Sequence, residues 1–423
     1  MRKQPPDSPP EVTPKQLDGV ITEVREYELI TPLMGGGAIP KEIDEVTVVR
    51  ATEIRGQLRF WWRACHAGKF GDDLAAMKQA EDTLWGAAFK KGDRVVKQKE
   101  LVQIAVELLQ PGNPIKPFII ERKQPKPIQG IPGYVAFPLQ PDSDELKEQD
   151  PYIPNMREHV SFSLTISFPA ERQKEVRAAL WAWETFGGVG ARTRRGFGAL
   201  HLLKINSANY IGLPLSNKVE EWIREKLAAS VEEGTSSVGI PYLTTKTQFT
   251  VTSSFRNVLQ AWKKLIDTLH HFRQAKYPGR SIWPEAETIR RLTGRRDSRY
   301  GELPHPQKFP RAAFGLPIIF HFKDSNDPKD TTLIEAGEEK DRFASPLILR
   351  PFQCRDNQAV GLALLLDGSR VDAENLVLVE KEDGASHPVR AMLTQDEARK
   401  ITVLDGETDV LQAFMNYLEG DRR

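Results

Sequence analysis

The chain is almost without cysteine: Cys65 and Cys354 are the two in 423 residues, far apart and outside any CxxC spacing. That excludes a cysteine-rich zinc module and a disulfide framework, and makes the cytoplasm the default compartment. Long apolar runs are missing too. Nothing approaches the roughly 18 apolar residues of a membrane helix, so no membrane association is expected. The first residues open on Arg2 and Lys3 with no apolar stretch behind them, only prolines and polar residues. Residues 1–18 therefore read as a disordered leader and not as a secretory signal. Nor is there an excess of charge of either sign, the formal net charge being +1. Histidines and cysteines form no zinc-like cluster. No metal and no cofactor are expected.

What is present is a globular composition, 39% hydrophobic and 28% charged, in a chain too long for one ordinary core. The near-zero net charge averages over opposed patches. Between His271 and Arg311 ten Lys/Arg face four acids, while acids gather at Asp142–Asp150 and again at Glu335–Asp341. Such segregation fits a basic binding face with an acidic exterior, and fits a solvated charged loop equally well.

Periodicity gives the organisation. Val20–Thr31 has the β-branched and aromatic content of a strand, and Ile54, Leu58, Trp61, Trp62 and Cys65 follow the helical period over Ile54–Phe70. Val102–Leu109, Gly133–Leu139 and Ser161–Phe168 read as strands, Glu175–Phe186 as a helix and Ala199–Ile205 as a strand. A second set begins near Pro241. Lys246–Ser253 is a strand and Phe255–Phe272 a helix; Ala312–Phe322, Pro346–Phe352 and Ala359–Leu366 are strands, and Asp409–Leu418 is a helix. The fold class is α+β. The order suits ferredoxin-like β-α-β-β-α-β units with insertions. We divide the chain into an N-terminal domain over 19–206, a linker or helical connection over 207–240, and a C-terminal domain over 241–423 carrying a basic helical insertion.

Two segments carry candidate chemistry. GGVGARTRRGFG, between a helix and a strand, holds Gly187, Gly188, Gly190, Gly196 and Gly198 with Arg192, Arg194 and Arg195. Glycines permit positive dihedrals and let main-chain N–H groups approach phosphate oxygens, and the arginines add charge and bidentate donors. A glycine-rich turn alone would not need three arginines. No GK[ST] follows, so the loop is not a P-loop, and it leads from helix to strand, unlike a Rossmann fingerprint. Phe197 reads as packing under the loop. In IRGQLRFWWRACHAG, Arg55, Arg59 and Arg63 recur every four residues and form a basic stripe beside an apolar one. They could track phosphates or pair with acids at the core edge; Trp61 and Trp62 read as core.

The succession TPLMGG, RGQLRFWWRA and GGVGARTRRGFGAL resembles the RAMP superfamily (repeat-associated mysterious proteins) of CRISPR systems. WPEAETIR, FPRAAFGLPIIFHF and RFASPLILRP extend the resemblance to one branch, the first-numbered RAMP subunit of the Cmr effector of type III-B CRISPR–Cas. Together the motifs span roughly Gly19 to Phe352. The resemblance implies two tandem ferredoxin-like folds, related to RNA-recognition motifs, with helical and loop insertions. It implies membership of an antiviral ribonucleoprotein with the other Cmr subunits as partners, a CRISPR guide RNA and a complementary target RNA. By position, Arg55, Arg59, Arg63 and the Gly187–Gly198 loop match the family's basic motifs. Arg290, Arg291, Arg295, Arg296 and Arg311 extend the basic surface into the second half.

Some RAMP relatives cut RNA, so an endoribonuclease acting on CRISPR RNA is the main rival to a non-catalytic binding subunit, and an assembly scaffold with weak RNA contact is a third reading. Metal-free cleavage needs an acid/base pair, often with histidine. His66, His270 and His271 lie on helices, where packed or surface roles are commoner than catalysis. Gly71-Asp72-Asp73 echoes a palm-type metal loop but opens a helix, where aspartate is a common N-cap. We expect no catalytic residues.

Overall fold

A computed structural model of the protein describes residues 18–37, 39, 41–91, 94–142, 144–234, 239–277, 280–295, 306–322, 326–337, 342–368 and 370–420. The first half starts from strand β1 (Val20–Leu29) and helix α1 (Ala51–His66). Alternation sends Glu23, Arg25, Tyr27 and Leu29 of β1 inward, and the helical period buries Ile54, Leu58, Trp61, Trp62 and Cys65 of α1. The Asp73 side chain caps α2 (Leu74–Trp85) by accepting from the Ala76 N–H at 2.9 Å, so the Gly71-Asp72-Asp73 stretch is a helix start.

Strands β2 (Gln103–Gln110) and β3 (Ser161–Pro169), helix α3 (Gln173–Phe186) and strand β4 (Leu200–Ile205) complete the unit. The sheet runs β4-β1-β3-β2, antiparallel throughout, with a two-residue strand (Ala208–Asn209) beyond β4. Helices α1 and α3 cover one face.

The segment 207–240 contributes helix α4 (Val219–Ser230), whose Val219, Ile223 and Leu227 are buried in the same core as α1 and α3. In the second half, β5 (Gln248–Val251) leads through α5 (Val258–Arg273) into a lobe that begins with β6 (Ile318–Phe320) and β7 (Thr331–Glu335). The chain returns to β8 (Leu347–Gln353) and β9 (Ala359–Leu365), re-enters the lobe as β10 (Leu376–Glu380) and β11 (Ser386–Val389), and closes with α6 (Val410–Gly420).

The sheet β5-β9-β8 is antiparallel and buried on both faces. Ile348, Phe352, Val360, Leu362 and Leu364 join the core of the first half. Leu347, Leu349, Ala363 and Leu365 pack with α5 and α6, including the buried Val410, Leu411, Phe414, Met415 and Leu418. The inserted lobe has its own sheet, β6-β7-β10-β11, over a small core with Leu316, Leu333 and Leu378. The α+β class with antiparallel sheets therefore holds, but among the described residues the second sheet has three strands rather than a ferredoxin-like four. No described helix is long and apolar enough to cross a membrane.

Two expected strands are corrected. Gly133–Leu139 is a helical turn (Gly133–Ala136) that follows Pro132 and runs into a 3-10 turn (Phe137–Leu139) holding Pro138. In Ala312–Phe322 pairing is limited to β6 and a single bridge of Leu316 to Phe343, because Pro310–Phe314 is a 3-10 turn and Gly315 (φ 117°) and Pro317 break the run.

Candidate nucleic-acid interface

The Gly187–Gly198 loop is a wedge between the two halves. Its centre is a 3-10 turn, Thr193–Arg195, flanked by left-handed Arg192 (φ 58°) and Gly196 (φ 86°). The turn lies on the start of β8. Arg195 donates to the Leu347 carbonyl at 2.7 Å, Arg194 to the Ser345 carbonyl, and the Trp262 indole to the Arg195 carbonyl at 2.7 Å. Phe197 is buried edge-on to Trp262, the centroids being 4.9 Å apart, as its packing role required.

The glycines work differently from the expected phosphate cradle. Gly187, Gly188, Gly196 and Gly198 are buried. A Cβ on Gly196 would lie 2.6 Å from Trp262 Nε1, and one on Gly198 would fall onto the Val189 carbonyl oxygen. Most loop amides are committed inside the protein: Val189 to Gly198 O at 3.0 Å, Ala191 to Met34 O at 2.7 Å, Gly198 to Pro32 O at 2.9 Å, and Gly190 to the Glu53 carboxylate. The loop presents arginine side chains rather than open main-chain donors.

Those side chains line a groove of about 680 Å³. Arg192, Arg194 and Arg195 enter from the loop and Arg273 from the end of α5, with Tyr134, Phe137, Phe314 and Phe343 as aromatic wall and His321 at one edge. Arg192 stacks over the exposed Phe137 ring at 4.7 Å, and Arg273 over Phe314 at 5.2 Å. No carboxylate lines the groove, and among the described residues none forms an ion pair with these four arginines. Burial, and then the repulsion of Arg273 and Arg192, pulls the Arg195 guanidinium down to about 9. Burial likewise lowers Arg192, Arg194 and Arg273. Desolvated like charges beside aromatic faces make a site for an anion carrying planar rings.

The other predicted arginines lie elsewhere and are tied up. Arg59 holds Glu81 at 2.6 Å and Asp82 at 3.0 Å, Arg63 holds Glu81 at 2.5 Å, and Arg55 reaches Glu100 at 3.5 Å. The stripe pairs with acids at the core edge, mostly from α2. Arg290 grips Asp327 at 2.7 Å, Arg291 meets Glu287 at 3.7 Å, Arg295 meets Glu382 at 3.0 Å and Arg311 meets Glu285 at 3.1 Å. Arg296 lies outside the described residues. Sequence reasoning missed Phe137, Tyr134, Phe343 and His321 altogether and counted Arg273 only as local charge. The exposed aromatic in the turn GYVAFPL was the available signal.

The open face of the first sheet is not a rival surface. Registered partners place Thr22, Val24, Glu26 and Glu28 of β1 beside Ser161, Ser163, Thr165 and Ser167 of β3 and Gln103, Ala105 and Glu107 of β2. These positions have no aromatic ring and three glutamates, the opposite of a base-stacking sheet.

The histidines weighed as catalysts are differently placed. His66 is buried with its Nε2 3.4 Å from the Glu175 carbonyl, and burial lowers its pKa. His270 stacks on Tyr134 at 4.5 Å.

Against known proteins, the RAMP superfamily model matches residues 26–201, from β1 through the glycine-arginine loop. The Cmr subunit Cmr1-1 of Pyrococcus furiosus is 28% identical over 182 residues, 42% of this chain and 48% of that protein. Cmr1-2 of the same organism is 26% identical over 188 residues, 41% of this chain and 91% of that protein. The match thus spans about half the length of the first relative and nearly all of the second. A chain of the type III-B Cmr-beta complex bound to cognate target RNA superposes over 96% of this chain and all of its own, with a TM-score of 0.50 and 13% identity, a likeness of fold alone. Over residues 26–201, the stretch that builds the first sheet and the arginine wedge, this chain matches the RAMP superfamily model, and the curated proteins it resembles are Cmr1 subunits.

Proposed function

We propose that the protein is a non-catalytic RNA-binding subunit of a type III-B CRISPR effector. It holds a single-stranded stretch of guide or target RNA in the groove between its halves, alongside other Cmr subunits. The observation that carries this reading is the convergence of Arg192, Arg194, Arg195 and Arg273 with the exposed Phe137 ring and the half-buried Tyr134 and Phe343, and with no carboxylate in the lining. Phosphates would neutralise the arginines while bases stack on Phe137 and Phe343. The names of the Cmr1 relatives and the RNA-bound complex support the assignment. We read the two halves as ferredoxin-like units, the second with its fourth strand position given over to insertions.

The test is fluorescence anisotropy with labelled single-stranded RNA over a salt series. Wild-type protein should bind with a steep salt dependence, and Arg192→Ala with Phe137→Ala should weaken it at least about tenfold. RNA affinity unchanged in that double variant defeats the groove assignment.

One observation favours the nuclease alternative enough to name its site. His321, at the groove edge, has Nδ1 2.7 Å from Asp330 Oδ1, the arrangement of an oriented general base. Incubation of purified protein with labelled guide-length and target RNA should leave both intact. Cleavage that disappears in His321→Ala would overturn the non-catalytic reading.

A further inference from the structure

Behind Arg194 lies a second, smaller hollow of about 210 Å³, below the roughly 300 Å³ of ordinary small-molecule pockets and fit for a single heterocycle. Arg194 is shared by both: its guanidinium stacks over Phe60 at 5.4 Å on this side and lines the main groove on the other. The rest of the wall comes from α1, from Phe186 and Gly187 at the loop start, from Thr193 and from Ile348 of β8.

Three features set this hollow apart from a packing defect. Gly56 is the sixth residue of α1, inside the helix, where glycine is the poorest helix former after proline. A Cβ there would meet nothing within 4 Å, so no neighbour demands glycine; its absence of side chain keeps the hollow open. Trp61, in the wall and 2% exposed, has an indole N–H with no acceptor among the described residues. That nitrogen lies 2.7 Å from where a Cβ on Gly187 would sit, which places it at the loop side of the hollow. An unsatisfied buried donor is costly; its nitrogen is covered here beside Gly187, and an acceptor entering at that edge would satisfy it. Finally, the Gln57 amide lines the mouth and offers both a donor and an acceptor.

We propose that this hollow receives one unstacked nucleobase of the strand lying in the groove, an inference that rests on the RNA-binding reading above. The base packs beside Phe60, its polar edge meets the Trp61 N–H and the Gln57 amide, and Arg194 holds the adjoining phosphate. Backbone charge is then read in the groove and one base in the hollow.

Gly56→Ala and Gly56→Leu fill the hollow from the helix surface. Binding is measured by anisotropy with labelled oligouridylate and with a phosphate–sugar oligomer of the same length lacking bases. Gly56→Leu should bind oligouridylate roughly tenfold more weakly and the base-free oligomer as wild type does. Gly56→Ala should show a smaller loss of the same kind and melt no lower than wild type, so that its effect is not unfolding. Oligouridylate bound equally by wild type and Gly56→Leu overturns the hollow, as does an equal loss of both oligomers. Wild-type protein that binds neither oligomer overturns the RNA reading and the hollow with it, whereas binding indifferent to Gly56 overturns the hollow alone.

Discussion

The sharpest consequence of the structure is that arginines of equal charge should behave oppositely. Arg192→Ala removes a guanidinium with no carboxylate partner, held over Phe137 at 4.7 Å in the groove. Arg59→Ala removes one bound to Glu81 at 2.6 Å, Asp82 at 3.0 Å and the Gly86 carbonyl at 2.8 Å. For a single strand each phosphate contact contributes about −0.7 to the slope of log K against log salt. Arg192→Ala should flatten the slope by about that amount, and adding Arg273→Ala should about double the change. Across a fourfold rise in salt, one contact is then worth roughly 2.5-fold in affinity. The stability of Arg192→Ala should move little, because what it loses is one partly exposed stack.

Arg59→Ala should show the reverse. The slope should stay at the wild-type value, while Glu81, 2% exposed, keeps only Arg63 and the fold loses on the order of 1–3 kcal/mol. The assays are anisotropy with labelled single-stranded RNA over a salt series and thermal melting of the same preparations. If Arg59→Ala flattens the slope as much as Arg192→Ala does, pairing is no guide to which arginines meet RNA, and the argument for the groove fails.

Three further outcomes follow from the packing. Gly198→Ala places a Cβ on the Val189 carbonyl at a φ of 57°, so thermal melting should show a loss of several kcal/mol, on the order of 3 or more; a melt like wild type would mean that the glycines are not there for packing. Arg350, 1% exposed, donates to the carbonyls of Gly187 at 2.8 Å and of Leu200, so Arg350→Ala should strand buried acceptors and cost about 3–5 kcal/mol in urea unfolding. The third concerns pH. Burial, with Arg350 behind it, pulls His201 down to about 4. Below pH 6.5 the unfolded chain takes up a proton that the folded chain refuses until about 4, so stability should fall as pH drops through that window, by up to roughly 3 kcal/mol. His201→Gln should flatten that part of the profile, and an unchanged profile would show that another group sets it.

How far the sequence could be read follows from where the deciding contacts come from. Local pattern was enough for β1, α1, α3, β3, α5 and α6, which have a regular apolar stripe, and for β8 and β9, which are near-continuous apolar runs. It misled at Gly133–Leu139 and at Ala312–Phe322, where prolines and Gly315 outweigh strand-like side chains. The arginine stripe of α1 was visible, but its partners Glu81 and Asp82 sit on the next helix, and only packing of α2 against α1 brings them to Arg59 and Arg63. Likewise, glycines in GGVGARTRRGFG read as freedom for phosphate approach. Their need comes from Trp262 and Val189, one of them in the other half of the chain. The inserted lobe was illegible because its four strands enter in two visits separated by β8 and β9.

Arg350 and the groove arginines together show why the charge collects at the junction of the halves. All are desolvated and, among the described residues, none forms an ion pair, the carboxylates that act on them being Glu285 for Arg273 and Glu184 for Arg350. Arg350 repays its burial with main-chain carbonyls at the end of α3, the loop start and β4, so it is satisfied within the fold and ties those elements together. Arg194 and Arg195 spend one edge of the guanidinium on carbonyls before and at the start of β8, and leave the rest to the groove. Arg192 and Arg273 have ring faces instead. A fold that needed only cohesion could place apolar residues here at no such cost. Keeping four like charges around one cavity raises the energy of the groove, and a polyphosphate backbone lying there would lower it by the same repulsion relieved. The wedge that locks the two halves is therefore also what aims the charge, and binding should be felt across the junction rather than within either sheet.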